Sequence, residues 1–143
     1  MSNRLQNPSN VWITGASSGI GEALTKIMVD QGHHLIITGR RQSALEQLRA
    51  YSDGRITAAP ADTTSREELT GISDLLESNG DLDMAVLNAG TCEYLDISQY
   101  DSDIIERNLT TNVVGTARCL DIALPALRRT VSNGKQATLV IVS

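Results

Sequence analysis

Short, continuously apolar runs alternate along the chain with longer segments of helical period. The runs are 11–14 (VWIT), 34–38 (HLIIT), 55–59 (RITAA), 83–87 (DMAVL) and 138–142 (TLVIV). Apolar character without strict alternation predicts strands covered on both faces. Between the first two runs, Ile20, Leu24, Ile27 and Met28 predict a helical stripe that stops at Gly32, a C-terminal cap. Leu45 and Leu48 mark a second, short helix. Thr64 or Ser65 can cap a third, with Glu67 and Glu68 in its first turn, where the helix dipole favours negative charge. Its stripe is Leu69, Ile72, Leu75 and Leu76, ending at Asn79–Gly80. A longer helix is predicted from about Asp103 to Arg129, with Ile105, Leu109, Val113, Ala117, Leu120, Leu124 and Leu127 on one face. Pro125 lacks an N–H and is predicted to kink or tighten its last turns.

The order β-α-β-α-β-α-β-α-β implies an α/β fold: a doubly wound parallel sheet, Rossmann-like, with right-handed crossovers and helices on both faces. The expected strand order is 3-2-1-4-5. With 143 residues, no repeat and no linker-like stretch, a single domain spanning 1–143 is expected. Aromatic residues make up 3% and Phe is absent, so aliphatic side chains must fill the core, with Trp12 packed under a crossover helix.

A net charge of −5 and a pI near 4.9 argue against a nucleic-acid surface, which needs clustered Lys and Arg. No apolar run approaches the roughly 20 residues of a membrane span. The N-terminal MSNRLQNPSN has no apolar signal region and reads as a short cytoplasmic lead-in. Cys92 and Cys119 lack metal or redox spacing and are expected to be small buried residues; no metal site is expected. His33-His34 reads as structural, and Asp81 and Asp83 as solvated carboxylates flanking a turn.

The chemistry starts at VWITGASSGIG, residues 11–21. In doubly wound sheets ligands bind beyond the strands' C-terminal ends, where the strand order reverses. Residues 15–21 fall there, between the first strand and the first helix. Gly15 permits a tight turn, Gly19 a close approach of backbone to a diphosphate, and Gly21 close packing of the helix. The helix N-terminus adds N–H groups and partial positive charge. No Gly-Lys-Ser/Thr follows, so a P-loop fits poorly. A diphosphate-bearing nucleotide fits.

Thr14-Gly15-Ala16-Ser17-Ser18-Gly19-Ile20-Gly21 resembles the TGxxxGxG cofactor motif of the short-chain dehydrogenase/reductase family. Three further stations agree in order. Asp62, followed by Thr63, lies after the third strand, where the family places an Asp that touches the adenine; it can equally cap a helix. Asn88-Ala89-Gly90 resembles the family's NNAG motif, with Leu87 in place of its first Asn. Asn112, with Gly115 three residues on, matches the family's catalytic Asn, which the resemblance places in a proton relay positioning a water. The resemblance covers nearly the whole chain and disfavours the TGxxGxxG pattern of nucleotide-sugar epimerases.

The second strand is followed by Gly39-Arg40-Arg41. An NAD site wants a carboxylate here for the ribose hydroxyls. Gly39 supplies none, whereas Arg40 and Arg41 can grip a 2′-phosphate or remain solvated. NADP is the expected cofactor, with a small carbonyl or alcohol compound as substrate. The loop 91–103 is where the family's substrate pocket begins. The resemblance also implies a homo-oligomer paired through helix 103–129.

The family's acid–base pair is Tyr-x-x-x-Lys, in which the ammonium favours the phenolate. Tyr51, Tyr94 and Tyr100 all precede the fifth strand, and none has Lys four residues later. Ser143 aligns with the first of two serines in the family's pattern, of which the second is the usual catalytic one. Two readings follow: the cofactor-binding portion of an NADP-dependent oxidoreductase whose catalytic portion lies beyond an interrupted strand, or a non-catalytic NADP-binding module.

Overall fold

The computed structural model describes residues 8–143, so most of the polar lead-in lies outside the described residues. The order is β1 (Asn10–Thr14), α1 (Gly19–Asp30), β2 (His34–Thr38), α2 (Gln42–Tyr51), β3 (Ile56–Ala58), α3 (Arg66–Ser78), β4 (Met84–Leu87), α4 (Ser102–Leu109), α5 (Thr116–Ser132) and β5 (Thr138–Ile141). A 3-10 turn at Ile97–Gln99 precedes α4, and a π-helical segment, Thr110–Gly115, joins α4 to α5. The five strands are parallel in the expected order, β3-β2-β1-β4-β5. Trp12 pairs with Ile36 on one side and Ala85 on the other, which puts β1 at the centre.

Alternation along the strands divides the core into two layers. Trp12, Ile36, Ala85 and Leu87 join Leu69, Ile72 and Leu76 of α3 and Cys119, Ala123, Ala126 and Leu127 of α5. Val11, Ile13, Leu35, Ile37 and Val86 join Met28 and Val29 of α1 and Leu45 and Leu48 of α2. Trp12 is wholly buried, as expected, and its indole N–H donates to Thr38 Oγ1 at 3.0 Å. Ser65 is the cap of α3, its hydroxyl accepting the Glu68 N–H at 3.2 Å.

Several expectations are corrected. On α1, Ile20 and Ile27 are exposed, and the buried face carries Gly21, Thr25, Met28 and Val29. Thr25 tolerates burial because its hydroxyl donates to the Gly21 carbonyl one turn back, at 2.7 Å. On the long helix, Ile105, Leu109 and Val113 are exposed, while Cys119, Ala123, Ala126, Leu127 and Thr130 are buried. The π segment is the reason: its wider turn shifts the faces before and after it out of a common 3.6-residue period. The helix continues through the exposed Pro125 to Ser132.

Strand β5 is not covered on both faces. Leu139, Val140, Ile141 and Val142 are all exposed, and among the described residues β5 is an edge strand paired only with β4. Of the two cysteines, Cys119 is buried, its thiol pushed up to about 12 by desolvation, whereas Cys92 is exposed. Asp81 and Asp83 are bonded rather than merely solvated. Asp83 Oδ2 accepts the Asn10 N–H at 2.8 Å, and Asp81 binds Lys135 at 2.8 Å and the Asn133 amide at 2.7 Å. They tie the starts of β1 and β4 to the α5–β5 turn.

His33, at the same end, has the structural role expected. It is 5% exposed, and its Nδ1 accepts the Ser9 N–H at 3.2 Å. Desolvation lowers its pKa below the ordinary 6.5, with the Asp83 charge opposing and His34 adding to the shift. The unfolded chain then holds this proton more tightly than the folded one. Its effect on stability is absent well above pH 6.5, and stability falls as pH drops through and below that value. Replacing His33 by Asn keeps an acceptor and removes the titration. Thermal melting between about pH 7.5 and 5.5 should show a shallower loss of Tm in the Asn variant. An unchanged slope would refute the assignment.

Candidate functional site

The C-terminal ends of β1 and β4 are held together by one side chain. The buried Thr14 hydroxyl accepts the N–H groups of both Asn88 and Ala89, each at 3.0 Å. The Asn88 amide returns the contact, donating to the carbonyls of Thr14 (3.3 Å) and Gly15 (3.4 Å). Gly15 lies at φ 68, and a Cβ there would meet Ala89 Cα at 2.8 Å. At Gly21 a Cβ would meet the Gly15 carbonyl oxygen at 2.2 Å. The first turn of α1 is therefore seated on the glycine loop itself. Gly19 differs: no atom lies within 4 Å of a Cβ there, so its backbone borders open space. Ser18 precedes α1 without a side-chain cap, which leaves the first-turn amides uncapped by side chains.

Beside the loop lies a cleft of about 650 Å³, at the point where β2 flanks β1 on one side and β4 on the other. Gly15, Ser17, Ser18 and Ile20 line it from the glycine loop. Gly39, Arg40 and Arg41 line it after β2, Asp62 and Thr63 after β3, and Asn88, Ala89 and Gly90 after β4. Four chain segments thus converge on the cleft. Gly19 and Gly21 shape the loop without lining the cleft.

The two arginines differ. Arg41 Nη2 donates to the Ser17 carbonyl at 2.5 Å, while Arg40 lies exposed on the rim. Burial pushes the Asp62 carboxyl up, but the Thr64 N–H (2.8 Å), the Thr64 hydroxyl (2.7 Å) and the Arg40 charge outweigh it, leaving the pKa below the usual 3.8. Asp62 is thus ionised at neutral pH and braces the turn into α3. It does not cap α3, where Ser65 takes that place, and it also faces the cleft.

Neither Asn112 nor Ser143 lines the cleft. The Asn112 side chain is engaged with Thr91: Oδ1 accepts its N–H at 2.7 Å and Nδ2 donates to its carbonyl at 2.8 Å. Ser143 is exposed beyond β5. Tyr51 donates to Asp30, which raises its pKa and leaves it no part in the cleft. Three lining or shaping residues escaped the sequence reading. Ala61 and Thr111 carry no chemical signal beyond standing next to Asp62 and Asn112. Thr14 was visible within the motif, but its bonds to β4 require the fold.

The sequence model of the short chain dehydrogenase family matches residues 9–143. An uncharacterized oxidoreductase of Staphylococcus aureus is 28% identical over 117 residues, which is 80% of this chain and 51% of that protein. A Brucella melitensis 3-ketoacyl-(acyl-carrier-protein) reductase complexed with NADH shares the fold, with a TM-score of 0.85 at 22% identity over 94% of this chain and 56% of that one. A Pseudomonas aeruginosa RhlG/NADP complex superposes with a TM-score of 0.80 at 28% identity, over 93% and 53% of the two chains. The chain spans about half the length of the curated relatives it matches. With the glycine loop, the strand order and the family match in agreement, the chain belongs to the short-chain dehydrogenase/reductase family of oxidoreductases.

Proposed function

We propose that residues 1–143 form the NADP-binding portion of an oxidoreductase that moves hydride between the cofactor and a small carbonyl or alcohol compound. The observation that carries this reading is the end of β2. Gly39 leaves no carboxylate at the end of β2, and Arg40 lies exposed on the rim of the cleft. The residues fit the cofactor's parts. The open face at Gly19 and the uncapped start of α1 suit the diphosphate. Arg40 suits a 2′-phosphate, and Asp62 with Thr63 the adenine. When bound, the nicotinamide supplies or accepts the hydride. Asn88 fixes the turn that borders the cofactor, and Asn112, through Thr91, the wall that follows it.

An exposed guanidinium is partly screened by water, so its charge-assisted contact belongs at the low end of such bonds. NADPH should bind about tenfold more tightly than NADH by calorimetry, and Arg40→Ala should remove the difference. Equal affinities in the unmodified protein would defeat the NADP assignment.

Proton transfer is the second test. No Tyr within the 143 residues has a Lys four positions later, and Asn112 and Ser143 supply no proton near neutral pH. General acid–base assistance is typically worth about 10²–10⁴-fold. The chain should bind NADPH yet fail to oxidise it with a panel of ketones and aldehydes, followed by NADPH absorbance. A chain extended through a downstream Tyr-x-x-x-Lys should turn over; an extended gene with no such pair would favour the non-catalytic module. Turnover by the 143 residues alone would show that the proton donor lies among them.

The same proposal extends to assembly. Ile105, Leu109 and Val113 are 41%, 55% and 58% exposed at four-residue spacing, and exposed apolar side chains that cluster mark interaction surfaces. Sedimentation should show dimers or larger species. A clean monomer at high micromolar concentration would count against pairing through this helix.

A further inference from the structure

After Gly90 the chain runs on as a segment, 91–93, that lies outside helix and turn and pairs with no strand of the sheet. Its backbone groups are nonetheless claimed in a regular way. Asn112 takes both the N–H and the carbonyl of Thr91, at 2.7 and 2.8 Å. Asn108 does the same for Glu93, accepting its N–H at 3.1 Å and donating to its carbonyl at 3.1 Å. The Arg107 guanidinium then grips the Glu93 carboxylate, with Nε at 3.1 and 3.2 Å and Nη2 at 2.9 Å. This contact also lowers the Glu93 pKa.

A carboxamide presents one acceptor and a donor face, as a peptide unit does, so each Asn stands in for a residue of a neighbouring strand. The spacings agree. Four helical residues rise about 6 Å, and two strand residues advance about 6.6–6.8 Å. In a regular α-helix, side chains four apart are rotated by about 40°. The π segment that begins at Thr110 slows that rotation and brings positions 108 and 112 closer to one line. Gly90 permits the close approach: a Cβ there would sit 3.2 Å from Asn112 Oδ1.

The laddered segment is also a wall. Thr91, Glu93 and Arg107 line a second cavity of about 490 Å³, together with Arg40, Asp62 and Thr111. Those last three also border the first cleft, so the two spaces adjoin.

We infer that Asn108 is a positioning residue: with Asn112 it holds residues 91–93 as a side-chain-paired strand that forms the wall beside the Arg40–Asp62 end of the nucleotide cleft. The ligand side of this inference rests on the dinucleotide reading proposed above; the ladder itself does not. Asn108→Ala should fold, because α4 buries none of its side chains.

Amide hydrogen exchange on the 143-residue protein tests the ladder without ligand. Thr91 and Glu93 should exchange at least about tenfold more slowly than Cys92 and Tyr94, between and beside them. Asn108→Ala should release Glu93 and leave Thr91 protected. Asn108→Asp, which keeps the acceptor and loses the donor, should retain protection of the Glu93 amide. Calorimetry with 2′,5′-ADP tests the positioning role. Asn108→Ala should weaken binding about tenfold, and Asn108→Asp should restore part of the loss. Uniform fast exchange across 91–94 in the unmodified protein would overturn the ladder. Lost Glu93 protection with unchanged 2′,5′-ADP affinity would overturn the positioning role. If the unmodified protein binds no adenine nucleotide, the dinucleotide reading and the positioning role fall together, while the exchange pattern still decides the ladder.

Discussion

The site depends on how closely the ends of β1 and β4 approach each other. The Thr14 hydroxyl accepts two consecutive N–H groups from the turn after β4, and the Asn88 amide answers with bonds to the carbonyls of Thr14 and Gly15. Backbone meets backbone here with no room for a side chain, as the 2.8 Å gap between a Cβ at Gly15 and Ala89 Cα makes clear. A buried donor left without its acceptor costs roughly 1–3 kcal/mol, so this small knot is expensive to loosen. Gly21 then seats α1 on the Gly15 carbonyl, which fixes the direction in which the helix dipole points. Glycine loop, helix start and the Asn88–Gly90 turn are thus tied together along one side of the cleft.

The π segment does for the far wall what the knot does for the near one. At Thr110–Gly115 the helix widens, and Gly115 comes against Thr63, where a Cβ would lie 2.9 Å from the threonine hydroxyl. Asn112 is carried to Thr91 by the same turn. Its main-chain carbonyl accepts the Thr116 hydroxyl at 2.8 Å, so this carbonyl of the irregular ladder has a partner. The irregularity therefore joins the turn after β3, the turn after β4 and the long helix. These are three of the segments that border the cleft.

How far this could be read from the sequence depended on which physical signal each element carries. Strands β1, β2 and β4 show as unbroken apolar runs because sheet faces on both sides demand them, and the glycine loop shows because steric exclusion leaves one residue type. The helix faces were harder. Periodicity weighs large apolar side chains, whereas helices lying close to the sheet select small ones and internally bonded hydroxyls. Thr25 bonds back to Gly21, and Thr130 donates to the carbonyls of Leu82 and Ala126. Ala123 and Ala126 are buried where Ile105 and Leu109 are bare. Asn108 was invisible for a different reason. A polar residue on an exposed helix gives no sign that another segment lies alongside it, and the π turn that aligns it with Asn112 has no period of its own in the sequence.

Arg40 and Arg41 show how one backbone feature can divide two identical side chains. Arg41 sits in extended conformation, φ −88 and ψ 91, as the residue before α2. Successive side chains on extended backbone point to opposite sides. One guanidinium turns back to the glycine loop and takes the Ser17 carbonyl, where its charge also reaches Glu22. The other stays at the rim, where its charge reaches Asp62. Gly39 is buried beneath them, 3.1 Å from the Ser17 hydroxyl by the position of its missing Cβ, so a larger residue there would press on the loop that Arg41 holds. A second arginine therefore does not double any preference for a 2′-phosphate. Arg41 stiffens a loop that every diphosphate ligand would use alike, and discrimination between such ligands falls to Arg40.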